Sequence, residues 1–216
     1  MNTNPAAIKI LCYGDSNTNG TKPDSSGCFA ADERWTGLLQ EQLGDNYYVI
    51  EEGLGGRTTD LEHYPSRNGL LYFKACIDSH MPLDIIIIML GTNDLKTMYH
   101  RSAEDVAQAL KQYPEHIDKY CANRELKRPK IILASPAYMD ENAPKFVEYM
   151  PMPGVCDEVS AQKSRQLAEP IKRVAEETGC EFFDAALVTK TGDDGCHLDQ
   201  QSHQNLASEL LNFIKG

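Results

Sequence analysis

The sequence predicts an α/β fold with a five-stranded parallel sheet that carries helices on both of its faces. First, short β-branched and apolar runs alternate five times with segments whose apolar residues have helical spacing. Second, residues 83–90 are apolar apart from one aspartate, as a strand buried on both faces should be. Third, polar loops follow the first three predicted strands, at the sheet edge where α/β folds bind ligands.

The elements follow in order from their own patterns. Residues 8–13 are β-branched and aromatic and are too few for a helix, so they predict the first strand. Residues 32–44 place apolar side chains on one helical face and end in a glycine, which predicts the first helix. By the same criteria, later strands are predicted over residues 47–51, 83–90, 130–134 and 181–184, and later helices over residues 69–80, 103–124, 159–178 and 204–215. Residues 135–157 and 187–203 are predicted as mostly loop, and the first of these is expected to form one wall of a pocket.

Composition and length predict one globular domain over residues 1–216, with 41% hydrophobic and 25% charged residues. No apolar stretch approaches the roughly 20 residues that a membrane span needs. The first residues lack the basic and apolar regions of a signal peptide, because the early apolar run belongs to the first strand. We therefore expect a cytoplasmic protein.

The net charge of −11 argues against nucleic acid or an anionic membrane surface as a partner, because both require a positive field. A small neutral or cationic molecule fits this charge better. The seven cysteines are odd in number and contain no Cys-x-x-Cys pair, so they predict neither a disulfide framework nor a zinc knuckle.

The loop that ends the first strand, Gly14-Asp15-Ser16, contains a candidate nucleophile. A glycine followed by small polar residues predicts a sharp turn, which would expose Ser16 at the carboxyl end of the strand. The same tripeptide also fits an ordinary turn in which an Asp or Ser side chain bonds its own backbone. The loop alone therefore leaves both interpretations open.

The other polar loops supply what acyl transfer by a serine needs: a base, an acid that orients the base, and donors for the oxyanion. His197 is the candidate base, and Asp194 lies three residues before it, within reach of the imidazole. The candidate oxyanion hole consists of the backbone N–H groups of Ser16 and Gly56 with the side-chain amide of Asn93. No cofactor and no metal is required by this scheme.

Four ordered blocks carry a resemblance to a known family: Gly14-Asp15-Ser16, Gly55-Gly56, Gly91-Thr92-Asn93-Asp94 and Asp194-x-x-His197. In their order and spacing they resemble the blocks of the SGNH (GDSL-like) hydrolase family, and the resemblance covers nearly the whole chain. It is closest to the arylesterase and acyltransferase branch, through residues 34–37, 49–54, 57–59 and 87–94.

The resemblance implies a flavodoxin-like three-layer α/β/α sandwich and metal-free, cofactor-free hydrolysis of small-molecule esters through an acyl-enzyme. It also implies acyl transfer to other acceptors in some members, and a homo-oligomer. Two residues depart from the family pattern: Asn17 stands where Leu is usual, and Asn19 where the arylesterase branch can have Trp. With Arg57, these two residues are predicted to line the substrate pocket, and their polarity predicts short acyl chains.

Some polar residues near these loops have simpler interpretations. His203 is predicted as a surface or capping residue of the last helix, and Cys196 as a bystander beside His197. Asp15 and Asp94 are predicted to brace loops through hydrogen bonds. A metal site that combines these two aspartates with Asp194 and His197 is the alternative.

Two alternative functions belong to other classes. A Mg-dependent phosphatase would use Asp15 as its nucleophile, Ser135 to hold the phosphate, and residues 192–194 to bind the ion. Such enzymes usually have a second Asp two residues later, where this chain has Asn17. A non-catalytic binding module on the same fold would be expected to have lost the catalytic residues, and all four blocks are intact.

Overall fold

The computed structural model describes residues 2–62, 65–146 and 156–216. One sheet contains five strands, all parallel, in the order β2-β1-β3-β4-β5. The strands are β1 (Ile8–Gly14), β2 (Tyr47–Gly53), β3 (Ile85–Met89), β4 (Lys130–Ser135) and β5 (Glu181–Asp184). The helices are α1 (Ser16–Asn19), α2 (Trp35–Leu43), α3 (Gly69–His80), α4 (Ala103–Arg124), α5 (Glu158–Ser164), α6 (Ala168–Glu177) and α7 (Gln200–Lys215), with 3-10 turns at Pro65–Arg67, Thr92–Leu95, Thr97–Tyr99 and Ala185–Leu187.

Two apolar cores lie on opposite faces of the sheet because successive strand side chains point to opposite sides. Leu11 of β1 belongs to one core, which α3, α4 and α6 cover. Cys12, the next residue, belongs to the other core, which α2 and α7 cover. The sheet therefore forms the middle of three layers. This arrangement and the flavodoxin-like strand order confirm the predicted fold class.

The register of the sheet brings the first three loops together. Gly14, the last residue of β1, is paired with Gly53 of β2 on one side and with Met89 of β3 on the other. These three strands therefore end level with one another. The loops that follow them begin at the same edge of the sheet, as the sequence predicts.

The segment predicted as one helix over residues 159–178 is two helices, α5 and α6. Pro170 explains the break, because a proline inside a helix lacks an N–H and its ring clashes with the carbonyl four residues earlier, which here belongs to Gln166. The chain makes tight turns at this point, with the N–H of Gln166 bonded to the carbonyl of Lys163. The prediction of a single helix was wrong.

The last helix begins earlier than predicted, at Gln200 rather than at residue 204. Asp199 caps it, since its side chain accepts a hydrogen bond from the N–H of Ser202 at 2.7 Å. Of the insertion predicted over residues 135–157, residues 135–146 and 156–157 are described, and residues 147–155 lie outside the described part. The helices that the structure describes all lack the long apolar stretch of a membrane span.

Candidate active site

A cavity of about 220 Å³ lies at the carboxyl edge of the sheet and combines residues from all four predicted blocks. Ser16, Gly56, Asn93 and His197 line it together. These residues come from sequence positions up to 181 apart, so the topology of the sheet is what brings them together. The lining is completed by Thr21, Gly55, Thr92, Lys96, Met139, Cys156 and Cys196.

Ser16 begins α1, directly after the turn that ends β1. The turn needs a glycine at position 14, because a Cβ there would lie 2.0 Å from Oγ1 of Thr18 and 2.9 Å from the carbonyl oxygen of Met89. Asp15 caps α1 by accepting a hydrogen bond from the N–H of Asn17 at 2.9 Å. Ser16 is 8% exposed and faces the cavity.

His197 is held by a buried carboxylate. Its Nδ1 lies 2.6 Å from Oδ2 of Asp194, which is fully buried. The other carboxylate oxygen, Oδ1, accepts hydrogen bonds from the backbone N–H groups of Cys196 and His197, both at 2.9 Å. Asp194 therefore orients the ring and also fixes the loop that carries it.

Asn17 connects the Ser16 loop to the His197 loop. Its Nδ2 donates to the carbonyl of Cys196 at 3.2 Å, and its Oδ1 accepts from the N–H of Leu198 at 2.9 Å. The side chain is buried, and its backbone carbonyl accepts a hydrogen bond from the indole of Trp35. Asn17 holds these two loops together, and it does not line the cavity.

The side chains of Asn19 and Arg57 also lie away from the cavity. Asn19 donates from Nδ2 to Sγ of Cys28 at 3.2 Å. The Arg57 guanidinium is buried 4.0 Å above the ring of Tyr13 and donates to the carbonyl of Gly14 at 2.9 Å. The prediction that Asn17, Asn19 and Arg57 line the substrate pocket is therefore corrected, because each side chain is hydrogen-bonded to protein groups and none lies in the wall of the cavity.

Asp94 braces the loop that follows β3, residues 91–95, as predicted. Its carboxylate accepts hydrogen bonds from the N–H of Thr59 at 3.0 Å and from Nη1 of Arg101 at 3.3 Å. Burial raises the pKa of the Asp94 carboxyl to about 7, while the Thr59 hydrogen bonds and the Arg101 charge oppose that shift. Next to it, Asn93 donates one amide hydrogen to the carbonyl of Arg57 at 3.1 Å and faces the cavity.

His203 differs from its prediction, because it is fully buried rather than at the surface. Its Nδ1 accepts a hydrogen bond from the N–H of Trp35 at 3.2 Å, and its ring packs edge-on against Phe29. Burial lowers the pKa of His203 to about 4, so the ring is neutral near pH 7. It supports α2 against α7 and does not line the cavity.

One group among the described residues could hold a metal ion: Glu52, Cys76 and His80 offer three ligand atoms within 4.8 Å of one another. It lies beside Arg57, at a cavity separate from that of Ser16. The alternative metal set around Asp194 and the phosphatase scheme find no support in the described residues, because both oxygens of Asp194 are bonded to the His197 loop.

Sequence reasoning missed four lining residues: Thr21, Lys96, Met139 and Cys156. Lys96 follows Asn93 by three positions in a tight turn, so its place beside the cavity could have been inferred from spacing. Met139 and Cys156 belong to the 135–157 insertion, which does supply part of the cavity wall, as predicted. Nothing in their local sequence marks them individually.

Comparisons with known proteins show which family the chain resembles. Residues 12–205 match a sequence model of the GDSL-like lipase/acylhydrolase family. The aryl esterase of M. smegmatis is 34% identical, with a TM-score of 0.86 over 97% of this chain and 99% of that chain. Est24, a carbohydrate acetylesterase from Sinorhizobium meliloti, is 32% identical, with a TM-score of 0.85 over 96% and 98% of the two chains.

A more distant relative is an acetylxylan esterase from Xylanibacter ruminicola, 26% identical over 223 residues. The match covers 97% of this chain but only 43% of the length of that protein. The family match and the two structures cover nearly all of this sequence. The chain belongs to the GDSL-like lipase/acylhydrolase family and is a carboxylic ester hydrolase.

Proposed function

We propose that this chain is a serine esterase that hydrolyses short-chain esters through an acyl-enzyme on Ser16. The observation that carries this proposal is the 2.6 Å contact between Nδ1 of His197 and Oδ2 of Asp194, beside a cavity that Ser16 and Asn93 also line. An imidazole with one nitrogen held by a buried carboxylate is the arrangement that a serine nucleophile requires.

The reaction assigns one task to each group. Oγ of Ser16 attacks the ester carbonyl carbon while its proton passes to Nε2 of His197, since Nδ1 is bonded to Asp194. The imidazolium then gives this proton to the departing alcohol oxygen, which leaves the acyl group on Ser16. Water attacks the acyl-enzyme with His197 again taking the proton, and the carboxylic acid leaves as Ser16 recovers its hydrogen.

The oxyanion of each tetrahedral intermediate would be bound by the N–H groups of Ser16 and Gly56 and by the Asn93 amide. A carboxamide has two N–H hydrogens, and one of those on Asn93 is bonded to the carbonyl of Arg57. This bond fixes the amide plane and leaves the second hydrogen for the oxyanion. Donors that are fixed before the reaction stabilise the transition state without a reorganisation cost.

The substrate class follows from the size of the cavity and from the relatives. A volume of about 220 Å³ suits an acetyl to butyryl group together with the start of the alcohol, and does not suit a long acyl chain. The names of the similar proteins refer to aryl esters, acetylated carbohydrates and acetylxylan. We therefore infer acetyl esters of aryl or sugar alcohols as substrates. Acyl transfer to acceptors other than water, a homo-oligomeric assembly and a cytoplasmic location stay predictions.

The test is labelling with a fluorophosphonate probe combined with hydrolysis of p-nitrophenyl acetate. We expect Ser16→Ala to abolish labelling and to lower kcat by at least roughly 10³-fold. Ser26→Ala, in an exposed loop, is the matched control and should behave as wild type. Labelling that persists in Ser16→Ala would contradict the proposal. Phosphatase activity that EDTA abolishes, without labelling, would instead support Asp15 as a nucleophile.

A further inference from the structure

We propose that Cys156 and Cys196 form a peroxide-oxidisable thiol pair in the wall of the ester cavity, and that their disulfide lowers esterase turnover. The two Sγ atoms lie 3.7 Å apart, with the Cys196 thiol donating to Cys156, although the residues are 40 positions apart. Both side chains line the cavity that contains Ser16 and His197. The effect on turnover rests on the proposed function, whereas formation of the disulfide does not.

The surroundings make the two sulfur atoms chemically different. Cys156 is partly exposed, and the hydrogen bond from Cys196 lowers the pKa of its thiol; burial opposes this effect, and the nearby Lys96 ammonium adds to it. The same hydrogen bond, together with burial, raises the pKa of the Cys196 thiol. Because the thiolate is the nucleophile, Cys156 is the sulfur that reacts first with an oxidant, and Cys196 is the thiol that follows.

The oxidation is balanced with a hydroperoxide as the oxidant. The Cys156 thiolate attacks one peroxide oxygen, the O–O bond breaks, and the product is a sulfenic acid. Hydroxide or alkoxide leaves and takes up the proton that the Cys156 thiol released on ionising, which gives water or an alcohol. Sγ of Cys196 then attacks the oxidised sulfur, and hydroxide leaves with the proton of the Cys196 thiol as water. Two thiols are oxidised by two electrons in total, and one peroxide is reduced. Hydrogen peroxide is small enough to reach Cys156 through the cavity.

The position of Cys196 explains why the disulfide would affect catalysis. It lies next to His197, and its backbone N–H is bonded to Oδ1 of Asp194, which also orients the imidazole ring. A disulfide requires the sulfur atoms to approach from 3.7 Å to about 2.0 Å. This movement pulls on the loop between Asp194 and His197.

Both sides of the pair are held by hydrogen bonds, so closing the gap between the sulfur atoms displaces the His197 loop as well as the start of α5. Cys196 is bonded to Asp194 and Asn17. Asp157, the residue after Cys156, accepts a hydrogen bond from Oγ1 of Thr97 at 2.7 Å and caps α5 through the N–H of Ser160 at 2.9 Å. Misplacement of a catalytic group by about 1 Å can cost roughly 10²-fold in rate. We therefore expect the disulfide form to have a kcat that is roughly 10-fold to 10²-fold lower than that of the reduced form.

The experiment compares reduced protein, protein treated with hydrogen peroxide, and treated protein that is then reduced with dithiothreitol. Trypsin cleaves after Lys145, Lys163, Lys190 and Lys215, so the two cysteines fall on separate peptides, residues 146–163 and 191–215. Mass spectrometry without reduction should detect these peptides joined, with the loss of two hydrogens. The kcat for p-nitrophenyl acetate should fall on oxidation and return on reduction.

The variants Cys156→Ser and Cys196→Ser should each lose the joined peptides and the reversible change in kcat, measured for each variant as the ratio of oxidised to reduced activity. Cys180→Ser, whose thiol lies outside the cavity beside Thr178 and Arg128, is the matched control and should keep both. Separate peptides after treatment of the wild type would overturn the pair. Joined peptides with an unchanged kcat would overturn its effect on turnover. A reduced enzyme without esterase activity would contradict the proposed function, and the peptide masses would still decide the thiol pair.

Discussion

Oδ1 of Asn17 accepts a hydrogen bond from the N–H of Leu198 at 2.9 Å, between residues that are 181 positions apart. With the second bond, from Nδ2 of Asn17 to the carbonyl of Cys196, it links the residue after the proposed nucleophile to both neighbours of His197. The distance between Ser16 and His197 is therefore fixed through one carboxamide. This role differs from that of a pocket residue and leads to a different prediction for its substitution.

We predict that Asn17→Leu lowers kcat and stability without shifting the preference toward longer esters. Leucine would leave the N–H of Leu198 and the carbonyl of Cys196 without partners, at a cost of about 1–3 kcal/mol in the free energy of unfolding. The measurement is kcat/KM for p-nitrophenyl acetate and octanoate, with urea denaturation. Asn19→Leu, which removes only the contact with Cys28, is the control. An increase in the octanoate-to-acetate ratio for Asn17→Leu would restore the interpretation of Asn17 as a pocket residue.

The two oxygens of Asp194 have different partners, so we predict that its asparagine and alanine variants differ in stability. Asparagine can still accept the loop N–H bonds through its oxygen, but its amide then faces Nδ1 of His197 and favours the wrong tautomer. We expect Asp194→Asn to lower kcat by up to about 10⁴-fold with little change in melting temperature. Asp194→Ala should lower both, because the loop loses its acceptor as well.

Melting temperature and kcat of both variants decide this prediction. Equal melting temperatures for the two variants would show that Oδ1 does not hold the loop. A kcat near that of wild type in Asp194→Asn would show that another group orients the imidazole. Glu41→Gln, the same acid-to-amide change at an exposed position of α2, is the matched control and should behave as wild type.

The fold could be predicted from the sequence because the strands have strong and local signals. The isoleucine run in β3 has no polar side chain to place in water, so it indicates a strand that is buried on both faces. The glycines that end β1 and β2 mark the turns at which the polar loops begin. The break before α6 was missed because the helical spacing of apolar residues continues through Pro170. The spacing of apolar residues gives no sign that Pro170 lacks the backbone N–H that a helix needs.

The candidate site could be predicted only where its residues also have local signals. Ser16 and Asn93 follow strands, and His197 has a recognisable spacing from Asp194, so the topology of the sheet brings them to one edge. The roles of Asn17 and His203 depend on partners that are far away in sequence, Leu198 and Trp35 respectively. Polar residue type indicates the ability to form hydrogen bonds, but it does not indicate whether the partner is a substrate or the backbone.

We predict that Asn93→Ala lowers kcat by roughly 10²- to 10³-fold with a small change in KM. The alanine variant removes one of the proposed oxyanion donors, and such a donor acts as charge develops in the transition state. Steady-state kinetics with p-nitrophenyl acetate measure both constants. A large rise in KM at constant kcat would instead show that Asn93 binds the ground state of the substrate.

Because His203 is buried, we predict that the free energy of unfolding falls as the pH drops below about 6.5. Its pKa is about 4 in the folded protein and near 6.5 in the unfolded chain, so the unfolded state binds more protons between these values. The free energy of unfolding therefore decreases as the pH falls from about 6.5 to about 4, by up to about 3 kcal/mol from this residue.

Urea denaturation of wild type and His203→Asn at pH 7.5, 5.5 and 4.5 isolates this contribution. The side-chain oxygen of asparagine takes the position of Nδ1 and can still accept the hydrogen bond from the N–H of Trp35, but asparagine does not titrate. The difference in the free energy of unfolding between the two proteins should narrow or reverse in favour of the variant at low pH. If the free energy of unfolding of the two proteins changed with pH in the same way, His203 would have an ordinary pKa in the folded protein.

The size of the cavity predicts the acyl chain length, and Met139 is the residue that tests the limit. Met139 is 1% exposed, belongs to the 135–157 insertion and forms part of the cavity wall. Each buried CH₂ of an acyl chain contributes about 0.8 kcal/mol when it finds apolar contact, so a short cavity gives no such gain beyond a few carbons.

In wild type, kcat/KM for p-nitrophenyl esters should be highest from acetyl to butyryl. Met139→Ala should move the maximum toward hexanoyl or octanoyl, because it removes a wall and leaves Ser16 and His197 in place. A wild-type rate that climbs steadily past octanoyl would mean that the chain binds along another path, and an unchanged maximum in Met139→Ala would mean that Met139 does not limit the acyl chain.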